Sequence, residues 1–136
     1  SIVLIGPKKS EELERMINKY ENIYYLGPKP YAEIPDYIDS FDVCLNPFKV
    51  DKIGDSVNPL KLYDYLSLGK PILSSGTKEM KNFAEYIYLY NNYDELISNA
   101  VLAVNETAPI LKEKRMSFAF QNSWAKKVDA IEKLIM

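Results

Sequence analysis

The residue types best suited to binding an anionic ligand lie between Asp55 and Ile72. This stretch joins an irregular segment, residues 46–58, to apolar residues at helical spacing that follow Pro59. Asparagine caps helices and proline is tolerated in the first turn, so Asn58 and Pro59 predict a helix start here. The unpaired N–H groups and partial positive charge of a helix start favour a diphosphate.

Lys61 and Asp64 follow within the first turns of this predicted helix and can face the same side. A cation at Lys61 opposes the helix dipole, and a bound anion would relieve that conflict. The Asp64 carboxylate could accept hydrogen bonds from a sugar or ribose hydroxyl. The same spacing also fits a solvated ion pair between the two side chains that binds no ligand.

Composition limits the class of protein and its partners. The chain has 136 residues, 47% of them hydrophobic and 26% charged, which is typical of one soluble globular domain. Its 17 basic and 19 acidic residues give a net charge of -2, so no uniform positive field would attract nucleic acid. Histidine is absent, which removes the commonest general base and the commonest zinc ligand. Catalysis must therefore use carboxylates or residues supplied from elsewhere.

Targeting signals and cysteine content point to the cytoplasm. No apolar run approaches the roughly 18 residues that span a bilayer, and residues 1–6 lack the basic start of a signal peptide. The single cysteine, Cys44, lies in an apolar run, so we expect a buried thiol.

Strand-like and helix-like segments alternate along most of the chain. The predicted strands are Ile2–Ile5, Ile23–Leu26, Val43–Leu45, Pro71–Ser74 and Ile87–Tyr90. The first predicted helix follows a Ser10 cap, and the second covers residues 34–41. A third runs from Pro59 to Gly69, and two more cover residues 78–85 and 93–105. The remainder of the chain is also predicted to be helical. This alternation predicts an α/β fold, a Rossmann-like parallel sheet flanked by helices with a helical C-terminus.

Ligands of such sheets bind beyond the carboxyl ends of the strands. The sequence therefore predicts that four loops line one crevice: Gly6-Pro7, Gly27-Pro28-Lys29, residues 46–58 and Ser74-Ser75-Gly76.

The run Asp64-Tyr65-Leu66-Ser67-Leu68-Gly69-Lys70-Pro71-Ile72-Leu73 resembles the signature of the donor-binding, C-terminal domain of group-1 glycosyltransferases with the GT-B fold. The preceding Asn58–Tyr63 is similar to a variant found among bacterial polysaccharide enzymes of that family. The strand, glycine and short-helix succession from Ile23 to Pro47 also resembles the family, as does Ile2–Pro7, so the resemblance covers nearly the whole chain.

The resemblance implies a role for individual residues. Asp64 looks like the family's second acidic residue, which binds the nucleotide ribose. Ser56 stands where the family has a first glutamate that contacts the donor sugar, with Asp55 beside it. The family's basic pair for the leaving diphosphate would precede Ser1, and Lys8 or Lys61 would have to substitute. The resemblance implies that Lys29 and Tyr31 lie near the nucleotide base; the alternative is that both belong to an exposed loop without a ligand. The implied donor-binding residues are Gly6, Lys29, Ser56, Asn58, Pro59, Leu60, Lys61 and Asp64.

The implied substrate is a UDP- or GDP-linked sugar, bound without a metal, and the acceptor is a polysaccharide, a lipid-linked molecule or another cell-envelope molecule. The resemblance further implies that the first strand of the domain and a separate acceptor domain precede Ser1. We therefore expect these 136 residues to bind the donor without completing transfer, and the full-length enzyme to associate with the inner face of the membrane.

Aromatic residues outside the loops have packing interpretations. Tyr24-Tyr25 and Tyr86–Tyr90 alternate as in half-buried strands, which explains them more simply than sugar stacking. Trp124 resembles part of the family's terminal helix, and we expect it in the core or at a domain interface.

Three other classes of protein share some of these features. A phospho-receiver domain needs a carboxylate pair after the first strand, where this chain has Gly6–Lys9, and an aspartate where Asn46 stands. A dinucleotide-binding oxidoreductase needs Gly-x-Gly-x-x-Gly after the first strand, where Gly6 stands alone. A non-catalytic nucleotide- or sugar-binding module on the transferase scaffold stays open, because Ser56 replaces the glutamate.

Overall fold

The computed structural model describes residues 1–7 and 10–135, which form two compact units. The first unit is Ser1–Tyr37, and the second begins at Ile38 and contains the rest of the described chain. Lys8, one of the two candidate diphosphate ligands, lies outside the described residues.

The first unit is a β-α-β arrangement. Strand β1 (Ile2–Leu4) pairs in parallel with β2 (Ile23–Tyr25), with Ile2 opposite Ile23. Helix α1 (Glu11–Lys19) connects them. The predicted cap is confirmed, because the Ser10 hydroxyl oxygen accepts the Leu13 N–H at 3.2 Å.

Helix α2 (Ile34–Ser40) leads into the second unit, which contains a three-stranded parallel sheet in the order β3-β4-β5. Its strands are β3 (Cys44–Asn46), β4 (Ile72–Ser75) and β5 (Tyr88–Tyr90). Its helices are α3 (Leu60–Ser67), α4 (Tyr93–Val104), α5 (Pro109–Gln121) and α6 (Trp124–Ile135). Short 3-10 helices occupy Tyr31–Glu33, Gly54–Ser56 and Met80–Phe83.

The core of the second unit is built around β4, whose four residues are all buried. A central parallel strand covered on both faces is expected to be buried along its whole length. Helix α3 contributes Leu62 and Leu66, both fully buried, and packs against α5. The turn after α3 depends on Gly69, which has a φ of +67° and would bring a Cβ to 2.5 Å from Lys112 Cγ.

A charged network lies inside this core. The Arg115 side chain is 2% exposed, and its two terminal nitrogens donate to the Glu106 carboxylate oxygens at 2.5 and 2.6 Å. Arg115 also donates to the carbonyls of Tyr86 (2.7 Å) and Gly69 (3.3 Å), and the Tyr88 hydroxyl donates to Glu106 at 2.7 Å. One guanidinium thus joins α5 to the segment after α4, the segment before β5 and the turn after α3.

The predicted fold class is confirmed: the chain is α/β, with parallel strands flanked by helices and a helical C-terminus. The strands form two sheets instead of the single sheet expected. Residues 78–85 are not an α-helix; they contain only the 3-10 turn at Met80–Phe83. Every helix in the described part of the chain is too short or too polar to cross a bilayer.

Two expectations about single residues have different outcomes. Cys44 is buried as predicted, and burial raises the pKa of its thiol to about 12, partly offset by the Lys70 charge. Trp124 is 78% exposed at the start of α6, so its assignment to the core is wrong. Its role at a domain interface stays a prediction.

The Glu106–Arg115 pair predicts a pH-dependent stability. Burial opposes ionisation of Glu106, but the hydrogen bonds from Arg115 and Tyr88 and the guanidinium charge outweigh it, so its pKa lies below the ordinary 4.5. The stabilisation is therefore complete above pH 4.5 and is lost as the pH falls through the lower pKa of the folded state. At pH 7, Glu106→Gln should lower the free energy of unfolding by about 3 kcal/mol, because it leaves a buried guanidinium unpaired.

Urea unfolding followed between pH 7 and pH 3 measures this effect, and the difference between the wild type and Glu106→Gln should shrink below pH 4.5. The matched control is Glu85→Gln, which removes an exposed ion pair with Lys114 and should cost less than about 1 kcal/mol. A difference that stays constant with pH would contradict the role of Glu106 ionisation.

Candidate functional site

The segment that follows β3, residues 47–58, folds back on itself. The Asp51 carboxylate accepts the N–H groups of Ile53 (3.0 Å) and Gly54 (2.8 Å), which closes a tight turn. Gly54 is buried there, and a Cβ at this position would lie 1.9 Å from the Lys49 carbonyl oxygen. Only glycine fits this turn without a backbone shift.

Three hydrogen bonds fasten this segment to the end of β4 and the turn beyond it. The Phe48 N–H donates to the Ser75 hydroxyl oxygen at 2.8 Å. The Lys78 N–H donates to the Asp55 carboxylate at 2.7 Å. The Asn58 amide donates to the Glu79 carboxylate at 3.2 Å. The start of α3 is therefore fixed beside the carboxyl ends of β3 and β4, the edge at which parallel sheets bind ligands.

The start of α3 differs from the sequence expectation by one residue. The helix begins at Leu60 with Pro59 in the capping position, and no side chain among the described residues caps it. The prediction that Asn58 caps the helix is wrong, because its side-chain amide bonds Glu79 across the segment instead. The Leu62 N–H donates to the Pro59 carbonyl at 3.0 Å. The N–H groups of Leu60 and Lys61 precede that first bond of the helix, so this end keeps its capacity to bind an anion. Pro59 is buried, and Leu60 is 75% exposed.

Lys61 is in none of the ion pairs found among the described residues, so the predicted solvated pair with Asp64 is not found there. Its ammonium instead lies over the ring of Phe48, 5.2 Å from the ring centroid. The residue as a whole is exposed, yet partial burial of the amine lowers its pKa from the ordinary 10.5.

Asp64 is half-buried one turn further along α3. Burial, followed by the proximity of Cys44 and of the Asp64 carboxylate, raises the pKa of the Tyr65 hydroxyl to about 12. The assignment of the Asp64 carboxylate to a nucleotide ribose stays a prediction.

Ser56, where the resemblance implies a glutamate, and its neighbour Asp55 both make structural contacts. The Ser56 hydroxyl donates to the Lys52 carbonyl at 3.1 Å and so stabilises its own turn. The neighbouring Asp55 carboxylate holds the Lys78 N–H. Neither contact tests the predicted role of Ser56 toward a donor sugar.

The remaining predicted ligands belong to the first unit. Gly6 has a φ of +136°, donates its N–H to the Gly27 carbonyl at 3.1 Å and accepts the Tyr25 hydroxyl at 2.7 Å. Lys29 is half-buried, with its ammonium 5.7 Å from the Tyr37 ring centroid, and Tyr31 is 75% exposed. The expectation that these loops share a crevice with those of the second unit stays a prediction.

A buried polar cluster lies at the carboxyl ends of β3 and β4. The sequence predicted that these two strand ends share a crevice, but not that their polar side chains are buried and bonded to each other. The Asn46 amide donates to the Ser74 hydroxyl at 3.0 Å, and Ser74 donates back to the Asn46 carbonyl at 3.1 Å. Asn46, Ser74 and Thr77 are each at most 1% exposed. The available signal was a polar residue at the end of each of two apolar strands, which indicates a sheet edge that keeps polar groups.

The two ends of the sheet differ in character. A cavity of about 420 Å³ lies at the amino ends of β3 and β4, between Asp42, Pro71 and Lys112. It is on the opposite side from α3's start, so it is not part of the predicted donor site.

Across residues 1–7 and 10–135, no group of three or more His, Cys, Asp or Glu side chains is placed to hold a metal ion.

Sequence comparison identifies a relative, named "Putative teichuronic acid biosynthesis glycosyltransferase TuaH", from Bacillus subtilis (strain 168). The two sequences are 28% identical over 125 residues. This similarity supports a glycosyltransferase relationship. The alignment covers 88% of this chain and 30% of the relative, so the chain spans less than a third of that protein. No protein-family model and no solved structure matches the chain.

The geometry of the 47–58 segment predicts a strict requirement for glycine. Gly54→Ala would place a Cβ against the Lys49 carbonyl, so the turn must shift, at an expected cost of about 1–3 kcal/mol in unfolding free energy. Hydrogen exchange at the Phe48 amide should accelerate, because the same segment presents that N–H to Ser75. The matched control is Ser56→Ala, an exposed neighbour, which should change stability by less than about 1 kcal/mol. Equal effects of the two substitutions would contradict the prediction.

Proposed function

We propose that this chain is the donor-binding part of a glycosyltransferase. The enzyme would transfer a sugar from a UDP- or GDP-linked donor to a polysaccharide, lipid-linked or other cell-envelope acceptor. The name of the Bacillus relative supports glycosyl transfer in cell-envelope biosynthesis. The observation that carries the proposal is the uncapped start of α3 beside the carboxyl ends of β3 and β4, with Lys61 in its first turn.

The chemistry of the donor explains why such a site would matter. Breaking the bond between sugar and diphosphate leaves negative charge on the departing phosphates and positive charge near the anomeric carbon. Preorganised positive potential at the diphosphate lowers the energy of that transition state. In the proposal, the N–H groups near Leu60 and the Lys61 ammonium supply the potential, and Asp64 accepts a ribose hydroxyl.

The remaining functions belong to parts of the enzyme outside this chain. The acceptor and any general base would come from the amino-terminal domain, with the donor enclosed between the two domains. On this proposal the 136 residues bind the donor without turnover, without a metal, and the full-length protein works at the inner face of the membrane. A non-catalytic binding module on the same scaffold is the alternative that Ser56 favours, and an assay of sugar transfer by the full-length protein distinguishes the two.

Calorimetric titration of the chain with UDP, GDP, inorganic pyrophosphate and the nucleosides tests the site itself. We expect UDP or GDP to bind. Lys61→Glu should weaken binding of the nucleoside diphosphate and of pyrophosphate by about ten-fold or more, because it replaces attraction by repulsion. Binding of the nucleoside should be unaffected. Failure of the wild type to bind any of the phosphorylated ligands would contradict the proposed function.

Asp64→Ala should produce the reverse pattern in the same titrations. Loss of a carboxylate that accepts ribose hydroxyls should weaken nucleoside diphosphate by about ten-fold and leave pyrophosphate binding unchanged or slightly stronger. Asp129→Ala, on exposed α6, is the matched control and should change neither. An unchanged affinity for UDP and GDP in Asp64→Ala would refute the assignment of this carboxylate.

A further inference from the structure

The Lys61 ammonium is held against an aromatic ring and not against a carboxylate. Its distance of 5.2 Å from the centroid of Phe48 lies within the roughly 6 Å over which a ring attracts a cation. No carboxylate in the described part of the chain forms an ion pair with Lys61. The ring attracts the cation through its quadrupole without cancelling its charge, so Lys61 is restrained while it remains able to attract an anion.

Another lysine shows the contrast. The ammonium of Lys114 lies 5.3 Å from the ring centroid of Tyr86 and also 2.9 Å from the Glu85 carboxylate. Its charge is therefore compensated within the protein. Lys61 has a similar ring distance but no such acidic partner among residues 1–7 and 10–135, which leaves its charge for a ligand.

Phe48 is in turn fixed to the sheet. Its backbone N–H donates to the hydroxyl oxygen of Ser75, the last residue of the central strand β4, at 2.8 Å. Ser75 is 3% exposed, and Phe48 itself is half-buried two residues beyond the end of β3. The ring is thus held by the most buried strand of the unit, and it can restrict a lysine side chain that would otherwise sample many rotamers.

The surroundings of the amine add to the effect. Protein atoms surround part of the Lys61 amine, and this partial burial lowers its pKa. A phosphate is attracted more strongly by an ammonium in such surroundings than by one in bulk water.

We infer that Phe48 is a positioning residue, whose ring holds the Lys61 ammonium at the start of α3 ready to meet the diphosphate of the donor. This inference rests on the proposed function and adds to it a second residue, outside the helix, that determines diphosphate affinity. A lysine already held in place loses less side-chain entropy when the ligand binds, which favours tighter binding.

A double-mutant cycle measures the coupling between the two residues. Inorganic pyrophosphate, UDP, GDP and the nucleosides are titrated against the wild type, Phe48→Leu, Lys61→Met and the double variant. Phe48→Leu should weaken pyrophosphate and nucleoside diphosphate by about two- to five-fold, the size of a partly exposed cation–π contact. In the Lys61→Met background the same substitution should have no further effect. Nucleoside binding should not change with either.

Two further variants separate positioning from general structure. Phe48→Tyr keeps an aromatic face and should retain wild-type affinity, which Phe48→Leu does not. Lys114→Met removes a lysine from another ring and should leave all affinities unchanged. Thermal unfolding of each variant identifies any that has lost its fold. If Phe48→Leu unfolds, Phe48→Tyr still tests the inference: its affinity for pyrophosphate and nucleoside diphosphate should equal that of the wild type and should fall as much when Lys61 is replaced by methionine.

The outcomes distinguish the inference from the function beneath it. If the wild type binds UDP or GDP through Lys61, but Phe48→Leu weakens binding equally with and without that lysine, Phe48 has only a structural role and the inference is overturned. Full wild-type affinity in Phe48→Leu, or a loss in Phe48→Tyr equal to that in Phe48→Leu, overturns it as well. If the wild type binds neither pyrophosphate nor a nucleoside diphosphate, the proposed function itself fails and the positioning role with it.

Discussion

The second unit is organised by the need to satisfy one buried guanidinium. Arg115 is 2% exposed, and a charge at such a depth is tolerated only if its hydrogen-bond donors find acceptors. Glu106 supplies both carboxylate oxygens, while the carbonyls of Gly69 and Tyr86 take the remaining donors described. These acceptors come from the turn after α3, the segment before β5 and the segment after α4. The network therefore fixes the end of α3 relative to the sheet, and the start of that helix is the candidate site.

The start of α3 is fixed by one neutral hydrogen bond and by two in which a carboxylate is the acceptor. Three hydrogen bonds join the 47–58 segment to the end of β4 and the turn beyond, through Phe48, Asp55 and Asn58. Side chains that otherwise look available for a ligand, Asp55 above all, are used to hold the backbone. Within the described part of the chain, the features at this edge that stay available to an anion are the uncapped helix start and a lysine held over a ring. A rigid backbone with an uncompensated positive charge is the arrangement that preorganised anion binding requires.

The glycosyltransferase relationship gives these features a common interpretation. In the proposal, this chain, which spans less than a third of that relative, supplies the donor side of the active site. The proposed division assigns diphosphate binding to this chain and the acceptor to another domain. In the proposal, Ser56 stands where the resemblance implies a glutamate, so contacts to the donor sugar would differ from those of enzymes with the acidic pair.

The sequence by itself determined the order of elements, the parallel α/β class, the helical C-terminus, the Ser10 cap and the buried Cys44. Each follows from local patterns: the period of apolar residues, turn residues and caps that involve neighbours only three or four positions apart. Residues 78–85 were mistaken for an α-helix because their local pattern could not reveal the competing contacts of Lys78 and Glu79 with Asp55 and Asn58. Only the tertiary structure decided that Asn58 donates to Glu79, that Lys61 lies over Phe48, and that Arg115 is buried against Glu106. These contacts join residues 9 to 46 positions apart, or they form with one partner where another lies at an equally suitable spacing. Their energies therefore depend on burial and geometry that no local pattern encodes.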